Sequence, residues 1–158
     1  MTDQDTTRGT PQSFPAFSSL PPAGAWLQDH GLELDEISGT RVTAHIDLRA
    51  RHLTPWGVIH GGVYTTAVES VASVGASAAV IEQGQFAVGL NNTTDFLRAM
   101  REGTVDIVAE PVIQGRTQQL WRVTITRRED GKAVAQGGAP AKRTAGSAER
   151  ITNSGAIR

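Results

Sequence analysis

The stretch Trp56-Gly-Val-Ile-His60-Gly61-Gly62-Val63, running on to Glu69 and about Ile81, decides how the rest of the chain is read. A short loop carrying Trp56 and Gly57 ends in His60-Gly61-Gly62. A long run of small and branched apolar residues follows, with Glu69 as its one charge. This run predicts a glycine-opened helix over about residues 61–81. Val63, Ala67, Val71, Val74, Ala78 and Ile81 form one stripe at helical period. Tyr64, Val68, Ala72, Ala76 and Ala79 add a second apolar surface, so the helix is expected to be enclosed all round. A sheet would wrap one side, and a partner subunit or loops the other. A carboxylate inside such a helix is costly unless it has a partner or a job.

The flanks read as strands. Before the helix, residues 32–37 and 41–48 alternate apolar with polar residues across a Ser38-Gly39-Thr40 turn, a hairpin. A short helix over residues 23–30, ended by Gly31, precedes them. After the helix, residues 86–96, 104–113, 117–127 and 132–139 read as four strands, the first interrupted by Asn91, Asn92, Thr93, Thr94 and Asp95. The turns between them include Glu129-Asp-Gly131, an Asp-Gly hairpin signature. The fold class is therefore α+β: an antiparallel sheet of about six strands around one long central helix. Residues 1–22 are polar and Pro-rich and read as a flexible arm, and 23–139 as one domain. Gly137-Gly-Ala-Pro140 is expected to break the last strand, and 140–158 to be a disordered tail.

Composition narrows the chemistry. The 158 residues suffice for one domain with a real core. The absence of cysteine excludes disulfides, thiolate metal sites and thiol nucleophiles. A net charge of -1 gives no global argument for nucleic acid or an anionic membrane. The first residues lack a basic start and an apolar stretch, so no signal peptide is read there, and a cytoplasmic location is the expectation. The four histidines show no metal-ligand spacing. Phosphate-loop, dinucleotide and GxSxG signatures are missing.

Chemistry then centres on the helix. Its first amides, at Gly61 and Gly62, have no intrahelical acceptor and face negative charge with the helix dipole behind them. A tight turn alone would also explain the glycines. Glu69 lies eight residues beyond Gly61, roughly 12 Å along the axis. One carbonyl cannot touch both, so if they act together they come from different protomers. Two antiparallel copies about a two-fold axis would create two identical sites. The other reading pairs Glu69 with an arginine or a hydroxyl. Ser73, one turn on, sits on the same face. His60 is expected to orient the turn, and Thr54 to reach toward the site. Arg98 and the Arg116-Thr117 turn are candidate phosphate contacts, though a solvated edge explains each singly.

Taken jointly, several segments resemble the hotdog-fold acyl-CoA thioesterases. They are Trp56 to Tyr64, Glu69-Ser-Val-Ala-Ser73, Val88-Gly-x-Asn-x-x-Thr-x-Phe96-x-Arg98, Glu102-Gly103 and Gly115-x-Thr-x-x-x-Trp121. More narrowly they are similar to the phenylacetate-pathway (PaaI-like) type and the Arthrobacter-like 4-hydroxybenzoyl-CoA thioesterase. The resemblance covers about residues 32–139. It implies a helix wrapped by a sheet, dimers or tetramers, and hydrolysis of an aryl- or fatty-acyl-CoA at the dimer interface. It implies no metal or redox cofactor, coenzyme A being part of the substrate. Gly61 would polarise the thioester carbonyl, and Glu69 of the other protomer would be nucleophile or general base. Ser73 would assist, and His60 would support the turn. Thr54, Gly62, Arg98, Arg116 and Thr117 would bind substrate. Thr54 departs from the Gln of the hydroxybenzoyl enzyme. The rival expectations are a non-catalytic acyl-CoA-binding module and a hotdog enoyl-CoA hydratase.

Overall fold

The structure, a computed structural model, describes residues 25–145. The expected arm over residues 1–22 lies outside them. Helix α1 (Ala25–Asp29) passes through Gly31, at φ +67°, into β1 (Leu32–Ile37). β1 and β2 (Val42–Leu48) form an antiparallel hairpin, with Leu32 opposite Ile46. A loop leads to the long helix α2 (Gly61–Ala78). There follow β3 (Gln85–Gly89), β4 (Thr93–Phe96), β5 (Gly103–Gln114), β6 (Gln118–Arg127) and β7 (Ala133–Ala145). All seven join one antiparallel sheet in the order β1-β2-β5-β6-β7-β3, with β4 also paired to β7.

The sheet curls around α2. Alternation along each strand sends one row inward: Val42, Ala44, Ile46 and Leu48 on β2, Val105, Ile107 and Ala109 on β5, Trp121, Val123 and Ile125 on β6. These rows are buried against Val63, Tyr64, Ala67, Val68, Val71, Ala72 and Ala76 of α2. The approach is close because glycines stand at the contacts. A Cβ on Gly75 would lie 2.5 Å from the Trp121 ring, and one on Gly137 would lie 2.9 Å from Val68. The Trp121 indole is pinned, its Nε1 donating to Gln119 Oε1 at 3.1 Å. The Gln119 amide in turn donates to the Ala76 carbonyl at 2.8 Å, tying the sheet to the last turns of the helix.

Three expectations need correction. α2 ends at Ala78, before Ile81, because the chain turns there to bury Val80 and continues as a short 3-10 turn over Ile81–Gln83. Its remaining surface, expected to meet a partner subunit or loops, carries Thr65, Thr66, Glu69, Ser70, Ser73 and Ser77 half-buried and Gly62 exposed. The strand expected over residues 86–96 is two short ones. The Asn92 side chain donates to the Thr65 carbonyl at 3.0 Å, and the pairing with β7 shifts by one residue across the gap. Finally, β7 runs on to Ala145, so the break expected at residues 137–140 and a tail starting at 140 are wrong. Gly137 is required there, because a Cβ would stand 2.5 Å from the Thr93 carbonyl oxygen. Pro140 offers no N–H, and it lies opposite the gap between β3 and β4, where its carbonyl accepts the Leu90 amide proton at 2.9 Å. The tail beyond residue 145 lies outside the described residues.

An exposed helical glycine gains stability on replacement by alanine, of order 1 kcal/mol. Gly75→Ala reverses that sign, because the pinned Trp121 ring cannot withdraw. The expected loss is about 1–3 kcal/mol, read as a lower urea midpoint at fixed protein concentration.

Candidate active site

The loop before α2 is built by backbone bonds. The Thr54 amide donates to Val58 at 2.7 Å, and the Gly57 amide to Thr54 at 2.9 Å, with Gly57 at φ +74°. The His60 amide then donates to the His52 carbonyl at 2.8 Å, seating the turn on the buried His52. His60 is the N-cap of α2, extended at φ -65° and ψ 129°. Its Nδ1 accepts the Gly62 amide proton at 2.9 Å. That bond requires an imidazole with its proton on Nε2. The Val63 amide goes to the His60 carbonyl at 3.0 Å. Among the described residues the Gly61 N–H has no acceptor. One amide of the first turn is thus left free, with the helix dipole behind it.

Gly61 opens onto a cleft of about 390 Å³ lined by Thr54, Ile59, Tyr64, Phe96, Arg98 and Met100, among others. The Phe96 ring lies on Gly61, where a Cβ would come within 2.8 Å of its edge, and it packs 6.3 Å from the Tyr64 ring. The Tyr64 hydroxyl is buried without a partner among the described residues, and burial pushes its phenol up to about 12. The Thr54 hydroxyl is not free: it donates to the Val58 carbonyl at 3.0 Å. The Arg98 guanidinium donates to the Ala133 carbonyl, which ties it to the start of β7.

The other expected residues lie apart from this cleft. His60 and Gly62 line a second cleft of about 490 Å³ beside Trp26, Arg51 and His52, and the Gly62 amide is already taken by His60. Glu69 and Ser73 lie further along α2, where the Ser73 hydroxyl donates to Glu69 Oε1 at 3.0 Å. Of the partners foreseen for Glu69, the structure gives it the hydroxyl and no arginine: its carboxylate is in no ion pair among the described residues. Arg116 and Thr117 sit in the β5–β6 turn, at the far end of the sheet, where the Arg143 amide donates to the Thr117 carbonyl at 3.0 Å. Within one chain, then, Thr54, Gly61 and Arg98 come together, Glu69 and Ser73 form a second group, and Arg116 and Thr117 a third.

Two further contributors were given no role at the site by the sequence. Asn92 fastens the strand break to α2. Gly89 lies directly against the Glu69 carboxylate: a Cβ there would stand 3.0 Å from Cδ and 3.2 Å from Oε2, and closer still to Oε1. Strand parity is the signal for Gly89, since Ala87 faces inward and residue 89 must face the same way.

Comparison with known proteins places the fold in a family. Residues 57–134 match the family model of the thioesterase superfamily. The Mycobacterium tuberculosis protein Rv1847, named as an esterase, is 44% identical over 109 residues, covering 68% of this chain and 77% of its own. This chain belongs to the thioesterase superfamily. The solved structure of Rv1847 superposes with a TM-score of 0.74 over 77% of this chain and 98% of that one. The Haemophilus influenzae thioesterase HI1161 gives a TM-score of 0.72 at 27% identity, over 78% of this chain and 85% of that one. A Listeria monocytogenes 1,4-dihydroxy-2-naphthoyl-CoA hydrolase is 28% identical over 96 residues, covering 61% of this chain and 77% of its own. The chain is a thioester hydrolase with the hotdog fold, its antiparallel sheet curled around α2.

Because the His60 cap is a single hydrogen bond, His60→Ala is expected to cost about 0.5–2 kcal/mol, and His60→Asn, which keeps an acceptor at the cap, much less. Thermal unfolding of the two variants checks this. Burial, then the Arg51 charge, holds His52 below its usual 6.5. The unfolded chain therefore takes up the His52 proton first. This contribution to stability is whole above about pH 6.5 and is lost as pH falls through the lowered folded value. Urea midpoints measured against pH should fall in that window, and less steeply in His52→Gln.

Proposed function

We propose that the chain is an acyl-CoA thioesterase of the Glu-dependent kind, acting as a homodimer with two sites. The free Gly61 amide of one copy and Glu69 of a second copy serve each site. The observation that carries this reading is the placement of both groups on one rigid helix, eight residues and roughly 12 Å apart. A substrate carbonyl held by Gly61 is out of reach of Glu69 in the same chain. The stripe of exposed Gly62 and half-buried Thr66, Glu69 and Ser73 supports the pairing, because the small residues on it let a second helix lie close.

The chemistry follows from charge. The thioester carbonyl oxygen accepts the Gly61 N–H at the positive end of α2, and the charge that grows on it in the transition state is met there. The Glu69 carboxylate attacks the carbonyl carbon itself, or takes a proton from the water that does. Collapse of the adduct breaks the carbon–sulfur bond. The thiolate of coenzyme A leaves and is protonated. When water is the attacking group the acid is released directly; when Glu69 attacks, the acyl–Glu69 anhydride that forms is then hydrolysed by water, which frees the acid and restores the carboxylate. The apolar walls of the cleft, Ile59, Tyr64, Phe96 and Met100, suit an aryl or alkyl acyl group. The naphthoyl-CoA named for the Listeria relative supports the aryl choice. Arg116 lies at the turn where Lys142 and Arg143 of β7 run alongside β6, a basic group suited to the nucleotide phosphates.

Release of free thiol from a panel of aryl- and fatty-acyl-CoAs tests the activity. No turnover on any of them, or full turnover in Glu69→Gln, overturns it. Position 61 gives a sharper test. Gly61 is the first helical residue, and the extended His60 before it is the conformation proline asks for. Gly61→Pro therefore deletes the one N–H and keeps the helix start. Against a Gly61→Ala control, kcat should fall by roughly 10²–10³-fold. Mixing Gly61→Pro with Glu69→Gln protein should recover activity that neither has alone, since a mixed dimer keeps one intact site. Arg116→Ala should raise KM for acyl-CoA and leave KM unchanged for a thioester of N-acetylcysteamine, which lacks the nucleotide.

A further inference from the structure

Glu69 is long enough to take several rotamers, yet its carboxylate is fixed from two sides. On one side the Ser73 hydroxyl donates to Oε1 at 3.0 Å. On the other stands the bare Cα of Gly89 on the edge strand β3, with Oε1 nearest to it. Among the described residues Oε2 accepts no hydrogen bond. On this face of β3 the two residues nearest Glu69, Ala87 and Gly89, are small. The Ser77 hydroxyl clamps this row to α2, accepting the Ala87 amide proton at 3.0 Å. β3 therefore cannot back away from Glu69.

We infer that Gly89 is a positioning residue for the reaction: its missing side chain makes the seat in which Oε1 is held, so that Oε2 is the oxygen that acts. This rests on the reading of Glu69 as the acting carboxylate. Nothing in the backbone demands glycine at this position, because Gly89 is not among the glycines with positive φ. Its opposite neighbour is Ala141 in ordinary antiparallel register. The glycine is there for the carboxylate. An added methyl group drives Glu69 off Ser73 and displaces Oε2 by about the width of the intrusion, and displacements near 1 Å cost on the order of 10²-fold in rate.

The test is a double-mutant cycle on the purified full chain with an acyl-CoA that the wild type turns over. Gly89→Ala is expected to lower kcat by roughly 10²-fold, with KM and melting temperature close to wild type. Glu69→Asp withdraws the carboxylate from the seat, so adding Gly89→Ala to it is expected to cost nothing further. A general strand defect would weaken both backgrounds alike, so the cycle decides even if Gly89→Ala lowers the melting temperature. Equal loss in both backgrounds, or unchanged kcat in Gly89→Ala while Glu69→Gln is dead, overturns this inference alone. Full activity in Glu69→Gln overturns the catalytic reading and this inference with it.

Discussion

Helix α2 lies against its sheet at a distance that admits no side chain at several of the contact points. Gly75 faces the Trp121 ring, Gly137 faces Val68, and Gly39 in the first hairpin turn faces Ala79, where a Cβ would come within 2.7 Å of its Cα. Close packing of this kind gives the helix one position and one rotation about its axis, because every displacement meets atoms. The buried Gln119 adds a directional tie, donating to the Ala76 carbonyl while its own oxygen accepts from Trp121. What α2 carries on its open side is therefore held where the sheet dictates.

Two consequences reach the site. The angle at which α2 starts is set by the His60 cap and by the His52 carbonyl behind it, so the amide at Gly61 is aimed by groups that need not meet a substrate. The carboxylate at Glu69 is aimed by β3, which is an edge strand and so has freedom that a central strand lacks. That freedom is removed by the Ser77 side chain and, at the strand break, by Asn92. On the proposed reading, one copy supplies the rigid amide and the other the seated carboxylate.

Much of this was legible in the sequence, and the rest failed for physical reasons. The glycine-opened helix, the hairpin before it and the strands after it follow from period and turn chemistry alone. The position of Glu69 on α2 is fixed by counting residues. What counting could not give was the outer stripe of α2: threonine and serine are small enough to pass for packing residues, and only the open side of the sheet shows them half-buried. The end of β7 was misread because glycine and proline normally break strands. Here Gly137 answers a close contact and Pro140 sits opposite a gap, features that belong to strands far away in the chain. Thr54 lines the cleft toward which it was expected to reach, and what the sequence does not show is that its hydroxyl proton goes to the carbonyl four residues on.

The cap at His60 and the seat at Gly89 also differ in how they respond to sequence drift. The free N–H at Gly61 belongs to the backbone, so a substitution there other than proline keeps it once the Phe96 ring yields to the added side chain. The carboxylate belongs to a single side chain, and one base change can remove it. On the proposed reading, members of a lineage built on this frame can therefore lose hydrolysis at position 69 while still cradling a thioester carbonyl at the helix start. The route from enzyme to silent binder is short, and it runs through the side chain, not through the turn.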